Sequence, residues 1–286
     1  MSSSSNLETG KTPSPSSSDE KKPSPPLPPA LFSKDWTLGP VTSTHGEIIL
    51  LLHSLATGLV DASSFSNWGV FCGMQTGNTV ILGLSTATLP SNPHAWLTTL
   101  VSISSYLLGA FLTFRATWLI APSGKATGSR VYLASILAVQ ALLILVSAAL
   151  IQADLVPHNA PGITTAATAT RIIDNVRIVS LLPPLAFQSG MQIAVSRLLG
   201  FNELPVNVLT STYCDLMGDP KLLAVKNVKR DRRVAAVVLL LAGAISAGWM
   251  MRSPAGMGGV LFLAGGIKAI SAVGAFMGMR SDVAKS

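Results

Sequence analysis

Six apolar stretches, each about as long as a helix that crosses a bilayer, constrain the fold of this chain more than any other feature. Lipid offers no hydrogen bonds to an open backbone, so such stretches cross as helices. We therefore expect an all-α fold: a polytopic transmembrane helix bundle over residues 45–280, integral to the lipid bilayer. The predicted spans are residues 46–66, 96–119, 131–152, 177–198, 234–251 and 256–279.

Composition excludes several classes of protein. Only 12% of the 286 residues are charged, whereas about a quarter are charged in a soluble domain. The net charge of +7 comes from span ends and one loop, not from basic patches with interleaved aromatics, so we expect no nucleic-acid partner. The sequence has no metal-ligand spacing, phosphate loop or nucleophile elbow. We expect no metal, no cofactor and no enzymatic activity.

The flanking segments predict orientation. Residues 1–44 are rich in Ser and Pro and are typical of a disordered tail, and residues 281–286 form a short second tail. The 219–233 loop carries six basic and two acidic residues, which places it in the cytoplasm together with both termini. Contact with anionic lipid is a second interpretation of that loop.

Two further segments, 68–88 and 203–218, are apolar but interrupted by polar residues. They either cross the membrane or re-enter on the side from which they came. Six spans with cytoplasmic termini leave Arg171, Arg177 and Arg252 outside. Eight crossings would instead expose Arg115, Lys125 and Arg130, so the distribution of basic residues favours six spans and two re-entrant segments.

The chain also contains an internal repeat, with halves at about 46–152 and 177–279. The stretch LATGLVDASSF aligns with FQSGMQIAVSR so that Gly58 corresponds to Gly190, and a two-residue insertion then places Thr76 opposite Thr210. If the interrupted segments re-enter, each half has an odd number of spans and the two halves lie in opposite senses, as in many transporters.

Over about residues 46–279 the chain resembles the YoaK family of multipass membrane proteins, a domain of unknown function. A Gly-x-x-Asp-Ala span, a later Phe and a Thr-Gly-Asn motif carry the resemblance; the residues are Gly58, Asp61, Ala62, Phe71, Thr76, Gly77 and Asn78. The stretch GMQIAVSRLLG resembles the second motif of the family, although Ser211-Thr212 replaces the more usual Thr-Gly pair. The resemblance implies a polytopic membrane protein and supplies no reaction.

Two ionisable residues, Asp61 and Lys268, lie deep inside full-length spans, where each costs about 2.5 to 3.5 kcal/mol to insert. Together each would offset part of the cost of the other, so we expect them to be neighbours. Two alternatives stay open. Asp61 caps the next segment, or Lys268 extends its long side chain to an interface.

The remaining polar groups form two sets. Gln188 and Gln192 lie four residues apart and make a polar stripe that either joins helices or lines a path. Gln75, Thr76, Gly77 and Asn78 begin a half-helix that faces an anion or form a polar turn. The candidate solute or ion pathway comprises Asp61, Gln75, Thr76, Gly77, Asn78, Gln188, Gln192 and Lys268.

These patterns favour a small-solute or anion secondary transporter or permease. The alternative is a structural or accessory membrane protein whose polar groups only hold helices together. The sequence does not name the solute.

Overall fold

A computed structural model describes residues 33–39, 41–42, 45–120, 129–162, 172–204 and 206–279. Within these residues the regular structure is helical, with one five-residue helix, α1 (Lys34–Leu38), six long helices and two shorter ones. The long helices are α2 (Gly46–Trp68), α4 (Ala95–Ile120), α5 (Arg130–Gln152), α6 (Leu182–Leu198), α8 (Val228–Arg252) and α9 (Gly256–Gly278). The shorter helices are α3 (Gln75–Ser85) and α7 (Leu209–Met217).

Six described helical stretches are long and apolar enough to cross a membrane, which confirms the predicted polytopic bundle. One of them, Val176–Leu198, is not a single α-helix. A 3₁₀ helix, Val176–Leu181, leads into α6, whose first turn contains Pro183 and Pro184. Proline lacks the backbone donor that an interior helical position needs, so the regular α-helix starts where the prolines are tolerated.

Several predicted segments lie outside the described residues: the tail before residue 33, the loop at 121–128 and the C-terminal tail at 281–286. Helix α1 falls within the segment predicted to be a disordered tail and packs against α5. The backbone N–H of Arg130, at the start of α5, donates to the Gly39 carbonyl at 3.2 Å.

The bundle has two ends. At the first, which we call the basic end, helices α2, α5 and α8 begin and helices α4, α6 and α9 finish. Arg232 of α8 pairs there with Glu47 of α2 at 3.5 Å and with Glu203, just after α6, at 3.2 Å. At the opposite end, which we call the far end, Trp68 Nε1 donates to the Pro157 carbonyl at 2.9 Å.

Neither shorter helix can cross a bilayer. Helix α3 has 11 residues and α7 has 9, so each is at most about 17 Å long against a hydrocarbon core of about 30 Å. The chain also returns to the end from which it came. After α3, the Asn92 amide donates to the Trp68 carbonyl at the far end, at 3.2 Å. After α7, Arg233 pairs with Asp215 at the basic end, at 3.6 Å. The arrangement is therefore six spans and two re-entrant segments.

The two halves make equivalent backbone crossings. A Cβ added at Gly58 of α2 would lie 2.1 Å from the Leu240 carbonyl oxygen of α8, and one at Gly190 of α6 would lie 2.0 Å from the Tyr106 oxygen of α4. The reciprocal glycines are Gly243 and Gly109, which meet Leu55 and Phe187 at 2.2 and 2.1 Å. With the two-residue insertion, Gly109 falls opposite Gly243. Helix α2 thus meets α8 as α6 meets α4, and the repeat is built from three spans and one short helix per half.

Helices α2, α5, α6 and α9 contribute most of the interior, while α4 and α8 are largely exposed. Helix α4 carries an exposed tryptophan near each of its ends, Trp96 and Trp118. The buried apolar residues form two clusters. One lies towards the far end around Trp68, Ile144 and Leu182, and the other lies towards the basic end around Leu50, Leu133 and Val195.

Candidate functional site

A layer of buried polar side chains separates the two apolar clusters at the middle of the bundle. On α9 the layer lies between Ala264 of one cluster and Ala272 of the other, and on α5 it lies between Leu137 and Ile144. We call these residues the polar layer; they are His53, Thr57, Gln140, Gln188, Ser189, Gln192, Asn207 and Lys268, each at most 6% exposed. Four helices and the loop before α7 contribute to it.

Lys268 carries the charge of the polar layer. Its Nζ donates to Oε1 of Gln140 on α5 at 2.7 Å and to Oε1 of Gln192 on α6. The side chain is 1% exposed, so its ammonium stays inside the bundle rather than extending to an interface. Within the described residues no carboxylate pairs with it, and its partners are neutral amide oxygens.

Gln192 connects Lys268 to the rest of the polar layer. While its Oε1 accepts from Lys268, its Nε2 donates to Thr57 Oγ1 at 2.7 Å and to Asn207 Oδ1 at 2.5 Å. The Asn207 amide then donates to the Ser189 carbonyl at 2.9 Å. The layer therefore links α2 and α6 with the loop that leads into the re-entrant helix α7.

Several polar atoms of the layer have no hydrogen-bond partner within the described part of the chain. They are both ring nitrogens of His53, Nε2 of Gln140 and Oε1 of Gln188. Buried polar atoms are almost always paired, so an unpaired set in one layer is a functional signal. The His53 ring is fully buried and lies within electrostatic range of the Lys268 ammonium.

Asp61 belongs to a separate cluster near the start of α3. Its Oδ1 accepts the backbone N–H of Cys72 at 2.9 Å and of Gly73 at 2.6 Å. A Cβ at Gly73 would lie 2.9 Å from Asp61 Oδ2, so the glycine permits this close approach. The expected pairing of Asp61 with Lys268 is wrong. The reason is local, because the Asp61 carboxylate is already satisfied by the free backbone N–H groups of Cys72 and Gly73, 11 and 12 residues along the chain. It therefore does not need Lys268 as a partner.

Asn78 forms hydrogen bonds within the same segment and with α4. Its Oδ1 accepts the Phe71 N–H at 3.0 Å, and its Nδ2 donates to the Phe71 carbonyl at 2.7 Å, to Gln75 Oε1 and to Ser102 Oγ. Gln75 Nε2 donates to the Cys72 carbonyl at 2.8 Å. We call Asp61, Phe71, Gln75, Asn78 and Ser102 the α3 clasp.

The structure thus divides the predicted pathway residues. It brings Gln188, Gln192 and Lys268 together in the polar layer. Asp61, Gln75 and Asn78 lie together in the α3 clasp, while Thr76 is exposed and Gly77 packs against Phe71 and Met74. The contacts of the clasp are those of a structural element, and a pathway role for its residues stays a prediction.

Sequence reasoning missed five members of the polar layer: His53, Thr57, Gln140, Ser189 and Asn207. A single glutamine in the apolar run of α5 has no periodic partner, and Asn207 lies in a loop. One signal was present. His53 and Thr57 are four residues apart, as Gln188 and Gln192 are, so α2 and α6 each present a polar pair to the same layer.

Together these features define a polytopic helical membrane protein, built from an inverted repeat, with a buried layer of polar side chains around Lys268 at its middle. Over residues 49–274 the chain matches the family model described as Protein of unknown function (DUF1275), and it belongs to that family. No curated protein and no solved structure matches the chain. The family carries no stated activity, and the more specific YoaK designation stays a prediction.

Proposed function

We propose that this protein is a permease for a small anion and that the polar layer is its binding site, midway through the membrane. The observation that carries the proposal is the Lys268 ammonium, which is buried and touches only neutral amide oxygens in the described residues. A buried cation without a counter-charge is costly, and a bound anion would supply that charge.

The unpaired atoms around Lys268 favour the same ligand. Gln140 Nε2 is a donor, and a neutral imidazole of His53 offers one N–H. An anion accepts hydrogen bonds from such groups and gains most from donors beside a positive charge. One lysine with neutral donors matches a small ion of single charge, and the same lysine repels cations.

The position of the layer is also typical of secondary transporters. Inverted-repeat transporters place their sites near the bilayer midplane, where the repeats meet. Here His53, Thr57 and Gln140 come from the first half, and Gln188, Gln192 and Lys268 come from the second, so Lys268 has one glutamine partner in each half. Movement of one half against the other would therefore change the environment of a bound ion.

The distribution of charge supports an orientation with the basic end in the cytoplasm. The described basic residues at that end include Arg115, Arg130, Arg197, Lys221, Lys226, Lys229, Arg230, Arg232 and Arg233, whereas the far end has Arg177 and Arg252. Retention of lysine and arginine on the cytoplasmic side is the general rule for membrane proteins.

The proposal is tested by flux into proteoliposomes that contain the full chain. The panel is chloride, nitrate, bicarbonate, formate and phosphate, supplied one at a time. We expect uptake of at least one monovalent anion, and we expect Lys268→Met to reduce its rate at least tenfold. The matched control is Ser271→Ala on the same helix, because among the described residues that buried hydroxyl bonds only to the Ile267 carbonyl of its own helix.

The outcomes separate the two functions. Uptake that Lys268→Met leaves unchanged would remove the polar layer from the path. No uptake of any anion by correctly folded, reconstituted protein would favour a structural or accessory role, in which the polar layer only joins helices.

A further inference from the structure

The loop between α7 and α8 is folded around its own charged groups. The Arg230 guanidinium donates to the Leu222 carbonyl at 2.7 Å and to the Ala224 carbonyl at 2.6 Å. The Asn227 amide donates to Asp219 Oδ2 at 2.9 Å and to the Lys221 carbonyl at 3.1 Å. These bonds fix the backbone of the loop, so they also fix the direction in which each side chain leaves it.

The fixed backbone turns two apolar side chains outwards. Leu223 is 95% exposed and Val225 is 94% exposed, and Val228 at the start of α8 is 62% exposed. Single exposed apolar residues are common, but three within six residues on an ordered loop make a patch. An ordered patch of this kind favours contact with an apolar phase.

The arginines and the lysines around the patch differ in their ion pairing. The three arginines face acidic groups: Arg230 pairs with Asp231, Arg232 with Glu47 and Glu203, and Arg233 with Asp215 and Asp219. The lysines at 221, 226 and 229 are exposed, and no ion pair engages them within the described residues.

Two acidic groups flank the lysines in sequence: Asp231 pairs with Arg230, and Asp219 belongs to the loop itself. Hydrogen bonds from the Asn227 side chain and the Lys221 backbone N–H lower its pKa, so its carboxylate stays ionised and holds Arg233 and Asn227. The outward face of the loop is left with three positive charges and three apolar side chains.

The depth of the loop suits the headgroup layer. The apolar part of α8 begins at Val234, and the charged turns before it, at a rise of about 1.5 Å per residue, place the loop about 9 Å further out. The headgroup layer is about 5 to 8 Å thick on each side of the hydrocarbon core. The loop beside the start of α8 therefore lies at the outer edge of the headgroup layer, within reach of lipid phosphates.

We propose that Lys221, Leu223, Val225, Lys226, Val228 and Lys229 form a lipid-contact surface that selects anionic phospholipids in the same membrane. The apolar residues insert between headgroups, and the lysines bind the phosphates and other negative groups beside them. The internal arginine pairs keep the surface preformed, so binding does not have to order the loop. This inference is independent of the proposed anion transport.

The test places a fluorophore on the surface in nanodiscs that contain the full chain. Val225→Cys is labelled in a Cys214→Ser background, because Cys214 is exposed and Cys72 is buried. Brominated lipids then report which headgroup lies nearby. We expect brominated phosphatidylglycerol to quench about threefold more than brominated phosphatidylcholine at equal mole fraction, since each lysine near a membrane favours anionic lipid about fivefold.

A matched label at Val176, which is 51% exposed beside Arg177 at the far end, should show no such preference. The triple variant Lys221→Gln, Lys226→Gln, Lys229→Gln should abolish the preference at Val225 while leaving quenching by both lipids. Equal quenching by the two lipids in the unchanged loop would overturn selection by charge. Quenching by neither would overturn insertion and indicate that the surface faces water or a protein.

Discussion

The two halves of the repeat share their backbone geometry and differ in how they satisfy a buried charge. Both cross the opposite half through a glycine, at Gly58 and at Gly190. The first half then binds the Asp61 carboxylate with backbone donors 11 and 12 residues away. The Lys268 ammonium of the second half is bound instead by side chains 128 and 76 residues away, one from each half.

This difference distinguishes a charge that organises its own segment from one that we propose to bind an anion. The Asp61 carboxylate accepts two hydrogen bonds from the segment it organises, so it stabilises the approach to α3. The Lys268 ammonium meets groups from two other helices. Polar atoms of His53, Gln140 and Gln188 that have no partner in the described residues lie in the same layer. A charge satisfied locally builds the fold, whereas a charge satisfied only by distant neutral groups is available to a ligand.

The largest loss of stability is expected at the glycine crossings, where the two halves are alike. Gly58→Ala and Gly190→Ala should each lower the free energy of unfolding by about 2 to 3 kcal/mol, because the new Cβ would overlap a carbonyl oxygen of the facing helix. Thermal unfolding in detergent measures both. The control is Gly266→Ala in α9, where nothing lies within 4 Å and the change should be neutral or slightly stabilising. A cost at one crossing and none at the other would break the equivalence of the halves.

A smaller loss is expected from the α3 clasp. Asp61→Ala should cost about 2 kcal/mol, because it leaves the Cys72 and Gly73 N–H groups without an acceptor, while Asp61→Asn keeps an acceptor oxygen and should cost about half as much. The same unfolding measurement applies, with the exposed Asp174→Ala as the control. Equal losses for Asn and Ala would show that charge rather than hydrogen bonding is what matters at Asp61.

The smallest effect is the coupling between the two charges. Lys268→Met removes a buried ammonium that has no counter-charge in the described residues, so stability should change by less than about 1 kcal/mol. Combined with Asp61→Asn in a double-mutant cycle, the coupling energy should stay below about 0.5 kcal/mol, because the two side chains belong to separate networks. A coupling of 1 kcal/mol or more would restore the direct pairing of the two residues.

The sequence predicts the spans well because hydropathy and length are local properties. The re-entrant segments were favoured by the distribution of basic residues, although the sequence alone left full crossings open. The pairing of charges was not foreseeable. Which face of α9 meets α5 and α6 depends on packing over the whole bundle, and amide oxygens can replace a carboxylate as partners of Lys268.

The two tryptophans near the ends of α4 also indicate which bilayer thickness suits this protein. Trp96 and Trp118 lie about 33 Å apart along the helix axis at a rise of about 1.5 Å per residue. Indole rings settle at the level of the headgroups, and an average tilt of about 20° shortens this span to about 31 Å along the bilayer normal. The spacing of the two tryptophans on α4 thus matches a bilayer of ordinary thickness. In a thinner bilayer this helix would have to tilt further. Its contact with the opposite half at Gly109 would have to tilt with it.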